Sequence, residues 1–333
     1  MNKTATKVLA LCAAAMMTLT ACTGNAPATE EEKPSDAAST ETKDEATDKK
    51  DEDKTADASA VTGKHEITDL VLPKLAQNEL TTFNILHSET NEDFEILFNL
   101  VEGLLEKDSL DKRHPCVATE WGTEDGGLNW TFKLRNDVKW VDMNGNVKAD
   151  CVADDFLTAL EWTLNFHKND SIGTSMPCQM IKGAQEYYDY TKGLSKEEAY
   201  ALTAGEGSKF REMVAVEAPD AYTLHYTCTA EKPYFDSLMS YTTGMPMSQA
   251  MIDELGGVDG VRAMNNENMW YNSCYTMTSY LQGNEKVLTK NPEYWDKDCF
   301  LFDTVTIRMV ESNDVAYQLY QSCLLYTSPS PRD

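Results

Sequence analysis

Asp154 and Asp155 are adjacent carboxylates at the start of an apolar helical run. Acid–base and hydrolytic chemistry uses this residue type in pairs. Yet the chain carries 55 acidic residues against 29 basic ones, so neighbouring acids read first as a solvated face. The five histidines, His65, His87, His114, His167 and His225, are scattered and show no metal-ligand spacing. His225 falls in an alternating strand, which reads as a packed or solvated position. There is no H-E-x-x-H, no G-x-S-x-G and no phosphate-cradling G-x-x-x-x-G-K. No catalytic residue, metal or cofactor is expected. A secreted hydrolase using an acidic pair is the enzyme class these residues leave open.

Nine cysteines need assigning. Lys3 and Lys7 open the chain, Val8 to Leu19 is apolar but too short to span a bilayer stably, and Leu19-Thr20-Ala21-Cys22 follows. That order resembles the export signal and lipobox of bacterial lipoproteins. It implies cleavage before Cys22, a lipid on the Cys22 thiol, and an extracytoplasmic, membrane-anchored location; two acyl chains suffice for stable anchoring. Cys12 leaves with the signal, residues 1–21, and Cys323 falls in the last eleven residues, which do not read as native sequence. Six internal cysteines remain, Cys116, Cys151, Cys178, Cys228, Cys274 and Cys299, with no C-x-x-C pair. Export permits disulfides, but the spacing favours mostly free, buried thiols acting as small hydrophobes.

The elements that would position any site lie beyond a polar lead. Thr23 to Gly63 holds 12 acidic and 5 basic residues, a balance of −7, with no aromatic residue. Such a segment buries too little apolar surface to fold and reads as an acidic tether, residues 22–63 with the lipidated cysteine. At 333 residues, 41% hydrophobic, the chain has room for about two domains with a real core. Its net charge of −26 argues against nucleic acid and against docking on anionic lipid.

Within the globular part, Glu66 to Leu72 reads as a strand and Glu92 to Leu105 as a helix. Asn129 to Arg135 alternates, with Trp130, Phe132 and Leu134 on one face. Ala153 to Asn165 is a helix with Phe156, Leu160 and Leu164 together, and Asp150 is its expected cap. Ala218-Pro219-Asp220 reads as a turn before the strand Tyr222 to Cys228. A hairpin is expected about Gln282-Gly283-Asn284, and Tyr187-Tyr188-Asp189-Tyr190 reads as a surface helix. Strands and helices mix without strict alternation, so the class is α/β in the broad sense, mixed α+β.

Four segments then stand in a recognisable order: "LFNLVEGLLEKD" (97–108), "VATEWGTEDGGLNWTFKLRNDVKWVDMNGNVKADCVADDFLTALEW" (117–162), "VAVEAPDAYTLHYTCTAEKPYFDSLM" (214–239) and "LTKNPEYWDKDCFLFDTVTIRMVE" (288–311). Together they resemble the extracellular solute-binding proteins of peptide ABC importers, the oligopeptide- and dipeptide-binding family. The resemblance implies the first lobe of a two-lobed periplasmic-binding-protein-like fold, with the second lobe missing. It divides lobe one into a discontinuous subdomain, 64–102 plus 235–310, and a second, 103–234; residues 311–322 would start the next lobe. The last stretch, 323–333, "CLLYTSPSPRD", reads as the translation of a sequencing-library adaptor. The implied partners are a peptide ligand, an ABC permease and the membrane, with a monomeric protein. Other cargo within the family would be a metal chelate or an oligosaccharide.

The resemblance also places candidate ligand-binding residues. Glu89 stands thirteen residues before Glu102, where a relative has a pocket-lining glutamate. Asn272 and Tyr275 occupy the family's cleft segment, here Asn272-Ser273-Cys274-Tyr275. An asparagine amide can pair with a peptide backbone as donor and acceptor. Ser273 replaces a glycine, which counts against close backbone approach to a ligand. Trp130, Trp140 and Trp295 belong to the framework motifs and are expected in the core.

Overall fold

The computed structural model describes residues 68–169 and 172–322. The export signal, Cys22, the tether, His65 and Cys323–Asp333 lie outside the described residues.

Two four-stranded sheets organise the described chain. In the first, the order across is Asp69–Leu75, Thr304–Val310, Glu285–Lys290, Tyr275–Leu281. The first pair is parallel, with Leu70 opposite Val305 and Leu72 opposite Ile307; the other pairs are antiparallel. The second sheet is antiparallel throughout, in the order Ala118–Gly122, Asn129–Leu134, Thr223–Thr227, Val216–Asp220. Alternation decides its buried face: Trp130, Phe132 and Leu134 point inward from one strand, Leu224 and Tyr226 from the next. Phe235 closes on this face, its ring 6.1 Å from Trp130 and 5.5 Å from Tyr226. We propose that the two sheets mark the two subdomains expected from the resemblance.

Several elements differ from expectation for physical reasons. The first strand is Asp69–Leu75, three residues later than expected at its far end, because Thr304–Val310 pairs with it over that whole length. The helix expected over 92–105 stops at Leu97 and is followed by a turn, in which Leu100 N and Val101 N both donate to Leu97 O, before the strand Leu105–Lys107. Gly103, beyond that end, lies against the Gly244 backbone: a Cβ there would sit 2.7 Å from the Gly244 carbonyl oxygen, and Leu104 N donates to that same oxygen at 2.9 Å. Ala218–Asp220 is not a turn but part of the edge strand Val216–Asp220. An edge position tolerates Pro219, which has no N–H to give. The hairpin about Gly283 forms, with φ +70° at the glycine.

The helix Ala153–Leu164 is buried nearly all round, not on one face. Asp150 does not cap it. Asp150 ends the strand Val147–Asp150 and pairs with Lys139. The cap position is Val152, whose N–H donates to Asp155 Oδ2 at 3.0 Å. The tyrosine helix, Ala184–Lys192, is also more than a surface element: Tyr187 is fully buried, and its hydroxyl donates to Glu161 Oε1 at 2.8 Å. The six described cysteines are unpaired; five are buried and Cys299 is exposed. Trp130 and Trp140 are core residues, whereas Trp295 is half-buried.

Candidate functional site

The segment Asn272–Tyr275 lies along the chain that leaves the helix Asn91–Leu97. Asn272 N and Ser273 N both donate to Leu100 O, at 3.2 and 3.3 Å, and Tyr275 N donates to Asn99 O at 3.0 Å. Glu102 is the centre of this contact. The Asn272 amide holds both its main-chain groups. Its carboxylate accepts from the Tyr294 hydroxyl at 2.5 Å and from Trp295 Nε1 at 2.7 Å. The Arg135 guanidinium lies over the Trp295 ring, 3.3 Å from its centroid. Residues far apart in the chain thus meet on one buried acid.

Beside Glu102 is a cavity of about 380 Å³. Phe98, Glu102, Tyr241, Ser273, Cys274 and Phe300 are among its walls. Burial pushes the Glu102 carboxyl up to about 7, against the hydrogen bonds from Tyr294 and Trp295, which favour its charged form. Burial likewise pushes the Cys116 thiol well above its ordinary range and Cys274 up to about 12. Neither is a thiolate near neutral pH, and the thiolate is the reactive form. Both Glu102 oxygens are occupied by neighbours. This arrangement holds a shape; it does not present an acid, base or nucleophile to a substrate.

The candidate pair Asp154 and Asp155 separates in space. Asp154 is exposed and pairs with Arg211 at 2.5 Å. Asp155 is buried and accepts from Trp140 Nε1 at 2.9 Å. Burial drives its carboxyl up to about 7. Among the described residues, no group of three or more His, Cys, Asp or Glu is arranged to hold a metal ion. His225 lies on the exposed face of its strand.

The three residues read as ligand contacts fall in different surroundings. Asn272 is 1% exposed, and its amide is spent on the Glu102 main chain: it pairs with a peptide backbone, but its own. Tyr275 is buried, donates to Phe302 O at 2.9 Å, and meets the Phe300 ring edge-on at 6.0 Å. Glu89 is exposed, just before Thr90, which caps the helix by accepting from Asp93 N at 3.1 Å. The structure does not bring Glu89 to the cavity that Ser273 and Cys274 line. Ser273, where a glycine was expected, is itself buried and donates to Phe98 O at 3.1 Å. Glu102 with Tyr294 and Trp295 was missed as a unit. The signal was present in "EGLL" and "NPEYWD", which pair an acid in an apolar run with two aromatics that carry donors.

The family model described as bacterial extracellular solute-binding proteins, family 5 Middle, matches residues 112–328. The chain is 26% identical over 235 residues to the oligopeptide-binding protein AmiA of Streptococcus pneumoniae serotype 4, covering 70% of this chain and 32% of that protein. It is 26% identical over 258 residues to the dipeptide-binding protein DppE of Bacillus subtilis, covering 77% and 42%. Among solved structures, OppA of Burkholderia pseudomallei superimposes with a TM-score of 0.63 at 23% identity, over 80% of this chain and 47% of that one. OppA of Haemophilus influenzae in complex with RPPGFSPFR gives 0.62 at 24% identity, over 79% and 46%. These structural likenesses carry the mixed α/β fold. The chain spans about a third of the length of AmiA and just under half of the OppA chains.

Proposed function

We infer that this chain, which belongs to the bacterial extracellular solute-binding proteins of family 5, captures peptides outside the cell and passes them to an ABC permease. The observation that carries this is the family match over 112–328. Relatives named for oligopeptide and dipeptide binding set the cargo class. The relatives are binding proteins, not enzymes, and the divergence of Asp154 from Asp155 adds no acid–base pair to set against that.

The working mechanism is closure of two lobes over a peptide, whose main chain is paired by the protein while its side chains occupy roomy, hydrated pockets. Nothing is done chemically to the cargo. The lipid on Cys22 would hold the protein at the membrane through the acidic tether 23–63. Among the described residues no helix is long and apolar enough to cross a membrane, and the family is extracellular by description.

Native mass spectrometry of the complete gene product, purified gently from its host, tests this reading. A co-purifying intact peptide supports it. A sugar or a metal chelate in its place would redirect the cargo within the family. Peptide fragments that accumulate with time would mean turnover and defeat it.

A further inference from the structure

Away from the Glu102 cavity, a second pocket of about 290 Å³ lies between the turn Ile85–His87 and the short helix Val258–Arg262. Its walls include Thr82, Asn84, His87, Val261, Arg262 and Met264. None of the described residues lining it carries a carboxylate, in a chain with 55 Asp and Glu. Glu79, Glu89 and Asp259 stand within two residues of its lining in sequence but do not line it. The buried Asp93 faces its own donors: it accepts from Thr81 N at 2.8 Å, from the Thr81 hydroxyl at 2.5 Å and from Ser88 at 3.2 Å.

The donors of this pocket are the unusual part. Asn84 is 3% exposed, and its Oδ1 accepts from Leu86 N at 3.0 Å. That bond fixes which end of the amide is oxygen and leaves Nδ2, buried, with no hydrogen-bond partner. A buried donor without a partner is costly, and native structures give most such groups a partner or a water. Thr82 Oγ1 accepts from Asn84 N at 3.0 Å and keeps its proton to donate. Arg262 is exposed at the rim. Its Nη2 donates to the main-chain carbonyls of His167 and Lys168, at 3.0 and 3.4 Å. Among the described residues no carboxylate pairs with it.

We propose that this pocket binds a carboxylate group, with Arg262 at the rim and Asn84 Nδ2 deeper in. A carboxylate offers two coplanar acceptors, which match the guanidinium fork and leave capacity for an amide N–H. The volume is on the order of ten liquid-water shares, enough for a carboxylate and the atoms next to it. The carboxylate of a small free acid and the C-terminus of a peptide share this chemistry. The inference therefore goes beyond the peptide-capture reading and stands whether or not the cargo is a peptide.

The experiment follows the Asn84 side-chain amide by NMR in the ¹⁵N-labelled 333-residue chain. The signal is assigned by its loss in Asn84→Ser, which keeps an oxygen to accept from Leu86 N. Three probes are titrated: acetate, an N-acetylated tripeptide with a free carboxylate, and the same tripeptide as its amide. Saturable shifts are expected with the first two and none with the amide. Arg262→Gln, a change at an exposed residue, should weaken binding at least about tenfold, since a charge-assisted bidentate pair is lost. A response to acetate alone assigns the site to small free acids; a response to the acidic tripeptide alone assigns it to peptide C-termini. Either keeps the proposal. No saturable response to either acid, an equal response to the amide, or an Arg262→Gln protein that binds like its parent overturns it and leaves a water-filled pocket.

Discussion

The side-chain amide of Asn272 closes on both main-chain groups of Glu102, residues 170 positions apart in the chain. Oδ1 accepts from Glu102 N at 2.8 Å and Nδ2 donates to Glu102 O at 3.1 Å. The pair joins the strand-bearing C-terminal part of the described chain to the segment where the first helix ends.

Asn272→Ala should therefore destabilise the fold. It leaves a buried N–H and a buried carbonyl without partners, at roughly 1–3 kcal/mol each, so about 2–6 kcal/mol in all. Urea unfolding should show a lower midpoint with an unchanged slope. A variant as stable as its parent would mean the amide is held for a ligand and not for Glu102.

The sequence made some of this legible. Strands whose alternation is strong, such as Asn129–Leu134, fall where expected because a period of two with Trp130, Phe132 and Leu134 admits few other solutions. The helix after residue 91 was overextended because its apolar spacing persists to Leu105: Leu100, Val101, Leu104 and Leu105 are buried by the fold without being helical. Asn272 reads as a ligand contact in the sequence, and its amide is instead bonded to the main chain of Glu102. Its partner was not legible, since only the fold brings Glu102 beside it. Likewise, periodicity gives Glu161 no reason to be buried until Lys168 and Tyr187 arrive around it.

Lys168→Met should be among the more damaging single changes. Lys168 Nζ lies 2.7 Å from Glu161 Oε2, and both side chains are almost wholly buried. Glu161 also accepts from Asn165 Nδ2 at 2.9 Å and from the Tyr187 hydroxyl. Removing the lysine strands a buried carboxylate, which costs about 3–5 kcal/mol. The double variant Lys168→Met, Glu161→Gln should recover part of the loss in chemical denaturation. No recovery would place the cost in packing and not in the stranded charge.

Cys22→Ala tests the proposed anchor. Leu19-Thr20-Ala21-Cys22 follows an apolar run of export-signal length. If the thiol carries lipid, the variant shifts from the membrane fraction into unprocessed or soluble pools on fractionation of host cells. Unchanged processing and membrane retention would remove the anchor from the account.

The pH dependence of stability follows from the two buried acids. Glu102 and Asp155 are each pushed up to about 7, chiefly by burial. Below pH of about 3, both are largely protonated whether the chain is folded or unfolded, and they add little pH dependence. As pH rises from there toward 7, the unfolded chain releases these protons while the folded chain keeps them. The folded state then binds more protons, so stability falls with rising pH, and the loss is complete once pH passes the folded value. For Glu102, a rise from 4.5 to about 7 corresponds to about 3 kcal/mol. Glu102→Gln cannot ionise and keeps an acceptor for one of its two donors. The stability of the parent relative to this variant should fall by about that amount between pH 4.5 and 7.5 or so, read from urea midpoints at matched ionic strength. Asp155→Asn should show the same sign in the same window. A parent-minus-variant difference that stays flat from pH 4 to 8 would mean that Glu102 ionises as readily in the folded chain as in the unfolded one. The Tyr294 and Trp295 donors would then outweigh its burial.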